Sequence, residues 1–155
     1  MRLNPFSLSP AAQKKFLDFS LTPNALEPGL RDLVNIRVSQ INGCAFCLDM
    51  HVKEATIHGE RGLRLHHVAL WRESQLFSAR ERAALCWAEL LTRLGQDGVS
   101  DEAYETARTA FSEQELSDLT FAVVAINGWN RLNIAFPKTP GSLDAFYGLD
   151  KAGLN

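Results

Sequence analysis

The sequence predicts an all-α domain, and three observations predict it. Apolar residues recur at helical spacing along most of the 155-residue chain. Two capping boxes, Ser78 with Glu81 and Ser112 with Glu115, open long apolar-periodic segments. Only one stretch alternates like a strand, and a lone strand would leave its backbone groups unsatisfied.

In chain order, the first helix is predicted over Pro10 to Phe19. The strand-like stretch follows, "LRDLVNIRVSQINGC", where Val34, Ile36 and Val38 alternate but Leu30, Leu33, Val34, Val38 and Ile41 also fit a helical face. Helix is the better assignment, since nothing else in the chain pairs with a strand. A further helix opens near Cys44, after Asn42 and Gly43, which are both acceptable near an N-cap. Gly59 and Gly62 break the stretch after it, and a short helix fits Leu63 to Trp71.

The segment "SARERAALCWAELLTRLGQ" places Ala84, Trp87, Ala88 and Leu91 on one face and stops at Gly95. A helix over Ser100 to Phe111 comes next. The last long one, "SEQELSDLTFAVVAINGWNRL", is apolar nearly all round from Leu119 to Ile126, as befits the centre of a bundle or a subunit interface. After Asn133 the chain is rich in Pro and Gly and reads as a tail draped over the body.

This length suits one domain, 1–155, large enough to bury about two thirds of its unfolded surface without staples. Redox or metal chemistry would therefore serve function more than stability. The composition is 46% hydrophobic and 22% charged, with a formal net charge of -2. Its sixteen basic residues are scattered among eighteen acidic ones, which gives no footprint for nucleic acid or an anionic membrane. The N-terminal stretch lacks the apolar core of a secretory signal, and "FAVVAI" is too short to span a bilayer. The chain reads as a soluble cytoplasmic protein. Three cysteines are too few and odd in number for a secreted disulfide framework.

Chemistry concentrates in "INGCAFCLDMH", where Cys44 and Cys47 stand three apart and His51 four further on. On a helix all three share one face. The sulfurs can close a disulfide there without large backbone movement. A helix N-terminus and a neighbouring histidine both lower a cysteine's pKa, and thiolate is the nucleophile. Attack on a hydroperoxide leaves a sulfenic acid that a second cysteine converts to a disulfide. Two cysteines and a proton-transfer group are thus a minimal set for reducing a peroxide.

Other readings of the same residues are open. Zinc could take Cys44, Cys47 and His51 with Asp49, His58, His66 or His67, although three ligands on one continuous helix do not readily converge to a tetrahedron. Buried inert cysteines are common. A dithiol that only exchanges disulfides, without any peroxide, is a further reading.

The stretch "LRDLVNIRVSQINGCAFCLDMHVKEA", supported by "WRESQLFSARERAALCWAELLT" and "AINGWNRLNIAF", resembles the alkyl hydroperoxidase D-like branch of the carboxymuconolactone decarboxylase superfamily. The resemblance implies an all-helical bundle, assembly into homo-oligomers (trimers or hexamers), and thiol-dependent peroxidase activity without a cofactor or metal. Carried over by position, Cys47 is the peroxidatic cysteine, Cys44 the resolving partner and His51 the histidine of a proton relay. A hydroperoxide is the implied substrate, with a lipoyl protein or thioredoxin-like dithiol as reductant. An alternative within the same scaffold is a redox relay or sensor with little peroxide turnover. A decarboxylase-like role is disfavoured by the paired cysteines.

Two positions depart from the family pattern. The relay glutamate, twelve residues before the first cysteine, is replaced by Asp32, whose carboxylate is a bond length or so shorter. It serves the base role through a bridging water or weakly, or else is an exposed first-turn residue favoured by the helix dipole. Phe46 replaces a histidine found in some relatives and makes the pocket wall apolar, which suits an organic hydroperoxide.

Elsewhere, Cys86 among apolar neighbours reads as a small core hydrophobe. Adjacent His66 and His67 point in different directions. Trp129, Asn130 and Arg131 are read as capping their helix and joining subunits, and Arg37 as pairing with a carboxylate or raising the potential near the thiolate.

Overall fold

The computed structural model describes residues 2–154; Met1 and Asn155, the ends of the predicted domain, lie outside the described residues. Every regular element in that span is helical: α1 (Pro5–Leu8), α2 (Pro10–Ser20), α3 (Pro28–Asn42), α4 (Ala45–Ile57), α5 (Gly62–His67), α6 (Ala79–Thr92), α7 (Asp101–Ala110), α8 (Glu113–Ala135) and α9 (Asp144–Tyr147). Two 3-10 turns, Val68–Leu70 and Leu149–Ala152, complete the list.

Helix α3 is the hub, packed on α4, α6 and α8. Its two faces are both buried, which is why its sequence alternates like a strand. Leu30, Val34 and Val38 enter a core with Trp87 of α6, Phe111 and Leu119 of α8. Leu33 and Ile36 enter a second core with Ala55, Val68, Trp71 and Leu85. Each of these fully buried aliphatic side chains contributes about 1.5–3 kcal/mol.

Both capping boxes form as the sequence indicates, at Ser78–Glu81 and Ser112–Glu115. Arg37 pairs inside the protein with Glu89 on α6 at 2.6 Å; the same carboxylate accepts from Trp71 Nε1 at 2.8 Å and from Arg72. It therefore braces α3 on α6.

Two expectations are corrected. The helix predicted over Leu63 to Trp71 begins at Gly62 and tightens to a 3-10 turn after His67, a common helix ending. The tail after Asn133 lies over the body as read, with α8 running on to Ala135 and then α9 and a 3-10 turn that packs on α4. Asn130 does not face another subunit: it is fully buried, accepts from Asn42 Nδ2 at 2.9 Å and donates to Ser39 Oγ at 3.2 Å.

Trp129 instead packs against Phe6 and Phe16 of the N-terminal helices, and the missing side chain of Gly128 permits the approach of Phe16. The apolar breadth of α8 leaves Phe121 and Val124 half exposed, with Leu17 and Leu21 of α2 and its flank also exposed.

Candidate active site

The motif sits at a tight junction of two helices. Gly43, with φ of 71°, closes α3 in the left-handed conformation that favours glycine, and the Cys44 N–H returns to Ser39 O at 3.0 Å. Cys44 then becomes the N-cap of α4. Its sulfur accepts the Cys47 N–H at 3.2 Å, in place of the usual hydroxyl or carboxylate oxygen. Both sulfurs thus lie at the positive end of a thirteen-residue helix.

Cys44 and Cys47 are joined as a disulfide, with their Cα atoms 5.3 Å apart. Both are almost completely buried, and with Phe46 they form a small apolar cluster on which Leu143 of the tail packs. Asn133, near the end of α8, donates from Nδ2 to Cys47 Sγ at 3.6 Å.

His51 stands one turn beyond Cys47 and is also buried. Its Nδ1 is bonded to Glu54 Oε2 at 2.6 Å. Facing a carboxylate, Nδ1 carries the proton, which leaves Nε2 as the nitrogen free for exchange. Burial pushes the Glu54 carboxyl up, but the hydrogen bond from His51 and the charges of His51, His58 and Arg31 outweigh it and hold the group below its ordinary value.

Asp32 is buried rather than exposed, and its carboxylate is bonded to His58 Nδ1 at 2.6 Å. It does not hydrogen-bond His51. Burial pushes the Asp32 carboxyl above its ordinary value against the pull of His58, while the bond to Asp32 raises the His58 imidazole. Two carboxylate–histidine pairs therefore lie side by side, and the shorter side chain at position 32 goes with the substitution of Glu54 as partner of His51.

The tail is fastened to the same helix. Buried Lys53 spans Asp49 at 3.0 Å and Asp144 at 2.6 Å, and Asp49 also accepts the Gly141 N–H at 3.0 Å. These bonds fasten the segment that carries Leu143, which packs on the cysteine cluster. Beside them a shallow groove is lined by Ala45, Leu48, Asp49, Val52, Lys53 and Leu154.

Glu54, Asn133 and Lys53 were not singled out by sequence. The i, i+3 spacing of His51 and Glu54 was a readable signal; Asn133 and Asp144 reach the site only through tertiary packing. Cys86 is a free, half-buried cysteine packed on the second core. His66 is exposed, and His67 bonds Ser74 at 3.1 Å, so the two diverge. Among the described residues no three His, Cys, Asp or Glu side chains stand together as a metal-holding group, and no helix is long and apolar enough to cross a membrane.

Comparison with known proteins agrees with this geometry. A protein from Bacillus subtilis, YdfG, of uncharacterised function, is 35% identical over 136 residues, 86% of this chain and 92% of its own. The crystal structure of an Agrobacterium tumefaciens protein of unknown function, ATU0492, provisionally assigned to antioxidant defence as AhpD, superposes with a TM-score of 0.85 at 38% identity, covering 90% of this chain and 97% of that one. An uncharacterised peroxidase-related protein with an AhpD core from Ralstonia eutropha shares the fold at a TM-score of 0.77 and 19% identity, over 89% of this chain and 75% of that one. Residues 10–90, more than half of the sequence and including both cysteines and His51, match the Carboxymuconolactone decarboxylase family. With an AhpD-like helical fold around a paired-cysteine helix, the chain belongs to the carboxymuconolactone decarboxylase family.

Proposed function

We propose that the protein is a thiol-dependent peroxidase that reduces organic hydroperoxides. Family membership gives the coarser statement, an enzyme of oxidoreductase or decarboxylase kind. One observation carries the finer reading: a disulfide-forming pair at the head of α4 with a carboxylate-held histidine one turn along.

The Cys47 thiolate attacks the distal oxygen of the hydroperoxide; the O–O bond breaks, an S–O bond forms, and sulfur is oxidised by two electrons to sulfenic acid. The departing alkoxide takes a proton through His51 and leaves as an alcohol. Cys44 then displaces hydroxide from the sulfenic sulfur, giving the disulfide and water. An external dithiol, on a lipoyl or thioredoxin-like protein, returns both thiols and is itself oxidised to a disulfide. Apolar Phe46 and Leu143 suit an organic peroxide better than hydrogen peroxide. The exposed Leu17, Leu21, Phe121 and Val124 suit assembly with further copies of the chain.

A second reading, a redox relay or sensor with little turnover, is favoured by the near-complete burial of both sulfurs beneath the tail. The two part in one experiment: cumene hydroperoxide is supplied with excess dithiol to wild type, Cys47→Ser and Cys44→Ser while free thiols are counted. A peroxidase turns over many equivalents, is dead as Cys47→Ser and stops at a sulfenic acid as Cys44→Ser. Loss of two thiols once, with no further consumption, selects the relay. No thiol loss at all sinks both.

A further inference from the structure

Helix α8 carries three asparagines at i, i+3 and i+6, Asn127, Asn130 and Asn133, and the third ends at the reactive sulfur. The first two have both ends of their amides bonded. Asn127 donates to Thr92 Oγ1 and accepts from Asn42, and Asn130 bonds Ser39 and Asn42. Asn133 is different. Its Nδ2 bonds Cys47 Sγ, as it must, because a disulfide sulfur has no proton to give. Its Oδ1 is buried without a protein partner, the one such side-chain atom among the described residues. The whole residue is more than nine-tenths buried, and the free acceptor belongs to the same amide that bonds Cys47 Sγ.

We propose that Asn133 is a catalytic residue of the peroxide-reducing step, its Nδ2–H bonded to the Cys47 thiolate and its Oδ1 accepting the O–H of the hydroperoxide. This rests on the peroxidase reading and assigns it a ligand-orienting group. A hydroperoxide has one donor, on the distal oxygen, and that is the atom sulfur must attack. One amide that holds the thiolate by one end and this O–H by the other aligns the reacting pair. The organic substituent is left facing Phe46 and Leu143. The amide does not titrate, so it does this at any pH where the thiolate exists. In the step itself the S–O bond forms as the O–O bond breaks; sulfur loses two electrons to the peroxide, and the alkoxide leaves with a proton from His51. After disulfide formation the N–H stays on sulfur, the arrangement observed.

The test uses the reduced full-length protein as wild type, Asn133→Leu and Asn133→Ala. Cys47 thiolate pKa is read from the pH dependence of alkylation, and the single-turnover rate constant with cumene hydroperoxide is read where the thiolate is fully formed. Melting temperatures are recorded alongside. In Asn133→Leu, nearly isosteric and free of the unpartnered oxygen, the melting temperature is expected to hold or rise. The thiolate is expected to titrate about one unit higher, and the rate constant at full ionisation to fall about tenfold or more. A purely structural residue would move the melting temperature and neither of the other two. If wild type reacts and both variants match it in titration and rate, the assignment of Asn133 is overturned and the peroxidase reading stands. If reduced wild type does not consume the hydroperoxide, the peroxidase reading falls and takes this one with it.

Discussion

Replacing Glu54 by Gln tests which carboxylate serves His51. The family pattern points to position 32, whereas the structure bonds His51 to Glu54 at 2.6 Å and sends Asp32 to His58. A hydrogen bond to a charged group contributes about 1.5–3 kcal/mol and a neutral one about 0.5–1.5. Gln keeps an acceptor for Nδ1–H and removes the charge, so the loss is the difference between those figures. Because the Glu54 side chain is 35% exposed, water screens part of it and the low end, about 1 kcal/mol, applies. If that support is spent where His51 carries the proton, the rate of reaction with cumene hydroperoxide falls about fivefold. Asp32→Asn, measured identically, is expected to stay within about twofold of wild type, because Asp32 bonds a different histidine. Stopped-flow consumption of peroxide by the reduced protein, at fixed pH and with each variant's fold checked by circular dichroism, gives both numbers. A tenfold loss in Asp32→Asn with no loss in Glu54→Gln would refute the assignment of Glu54 and return the relay to Asp32.

Three further outcomes follow from other contacts. Glu89→Ala leaves Arg37 buried and uncompensated on α3 and strips a partner from Trp71, so urea unfolding is expected to show about 3–5 kcal/mol less stability; a loss below about 1 kcal/mol would contradict the brace between α3 and α6. Asp144→Ala removes the tail's ion pair with Lys53, and thiol alkylation of the reduced protein is expected to quicken about tenfold as Leu143 lifts from the cysteines; an unchanged rate would mean the tail does not limit access. The His58–Asp32 pair sets a pH dependence. With the His58 pKa raised above 6.5, its stabilisation is complete below that pH and is lost as pH rises through the folded value. Since His58 is half exposed, wild type minus His58→Asn in unfolding free energy from urea titrations should amount to under about 1 kcal/mol at pH 6 and vanish by pH 9. A difference that grows with pH would reverse the sign and defeat the pairing.

What could be read from sequence, and what could not, divides by the range of the interaction. The capping boxes at Ser78 and Ser112 and the helical faces of α6 and α8 rest on contacts within a few residues, and the structure has them where the spacing put them. The proximity of the two cysteines was legible for the same reason, as i and i+3 at a helix start. Asp32 was not. Its partner was decided by whether an aspartate on α3 reaches the first or the second histidine of α4, a matter of side-chain length and interhelical distance that no periodicity records. The "VNIRV" stretch, correctly assigned as helix, was ambiguous for a different reason: a helix with two buried faces loses the one-sided stripe by which helices are recognised.

Asn133 and Asp144 illustrate the remaining class. They are ninety or so residues from the groups they bond, Cys47 and Lys53, and nothing local distinguishes them from any polar residue near a helix end. Yet their placement decides how a motif of ordinary composition behaves. A C-x-x-C pair at a helix start would be a labile surface dithiol if it were exposed. Here α8 brings an amide with a free acceptor against one sulfur, and the tail packs Leu143 on the cysteine cluster. On the proposed peroxidase reading, a small apolar peroxide needs less room at the buried sulfurs than a protein dithiol does. Loosening the Asp144–Lys53 ion pair is then expected to act differently on the two half-reactions. Asp144→Ala should speed re-reduction of the disulfide by a protein dithiol more than it speeds oxidation by cumene hydroperoxide, and equal acceleration of both would place the entry for substrate and reductant at the same opening.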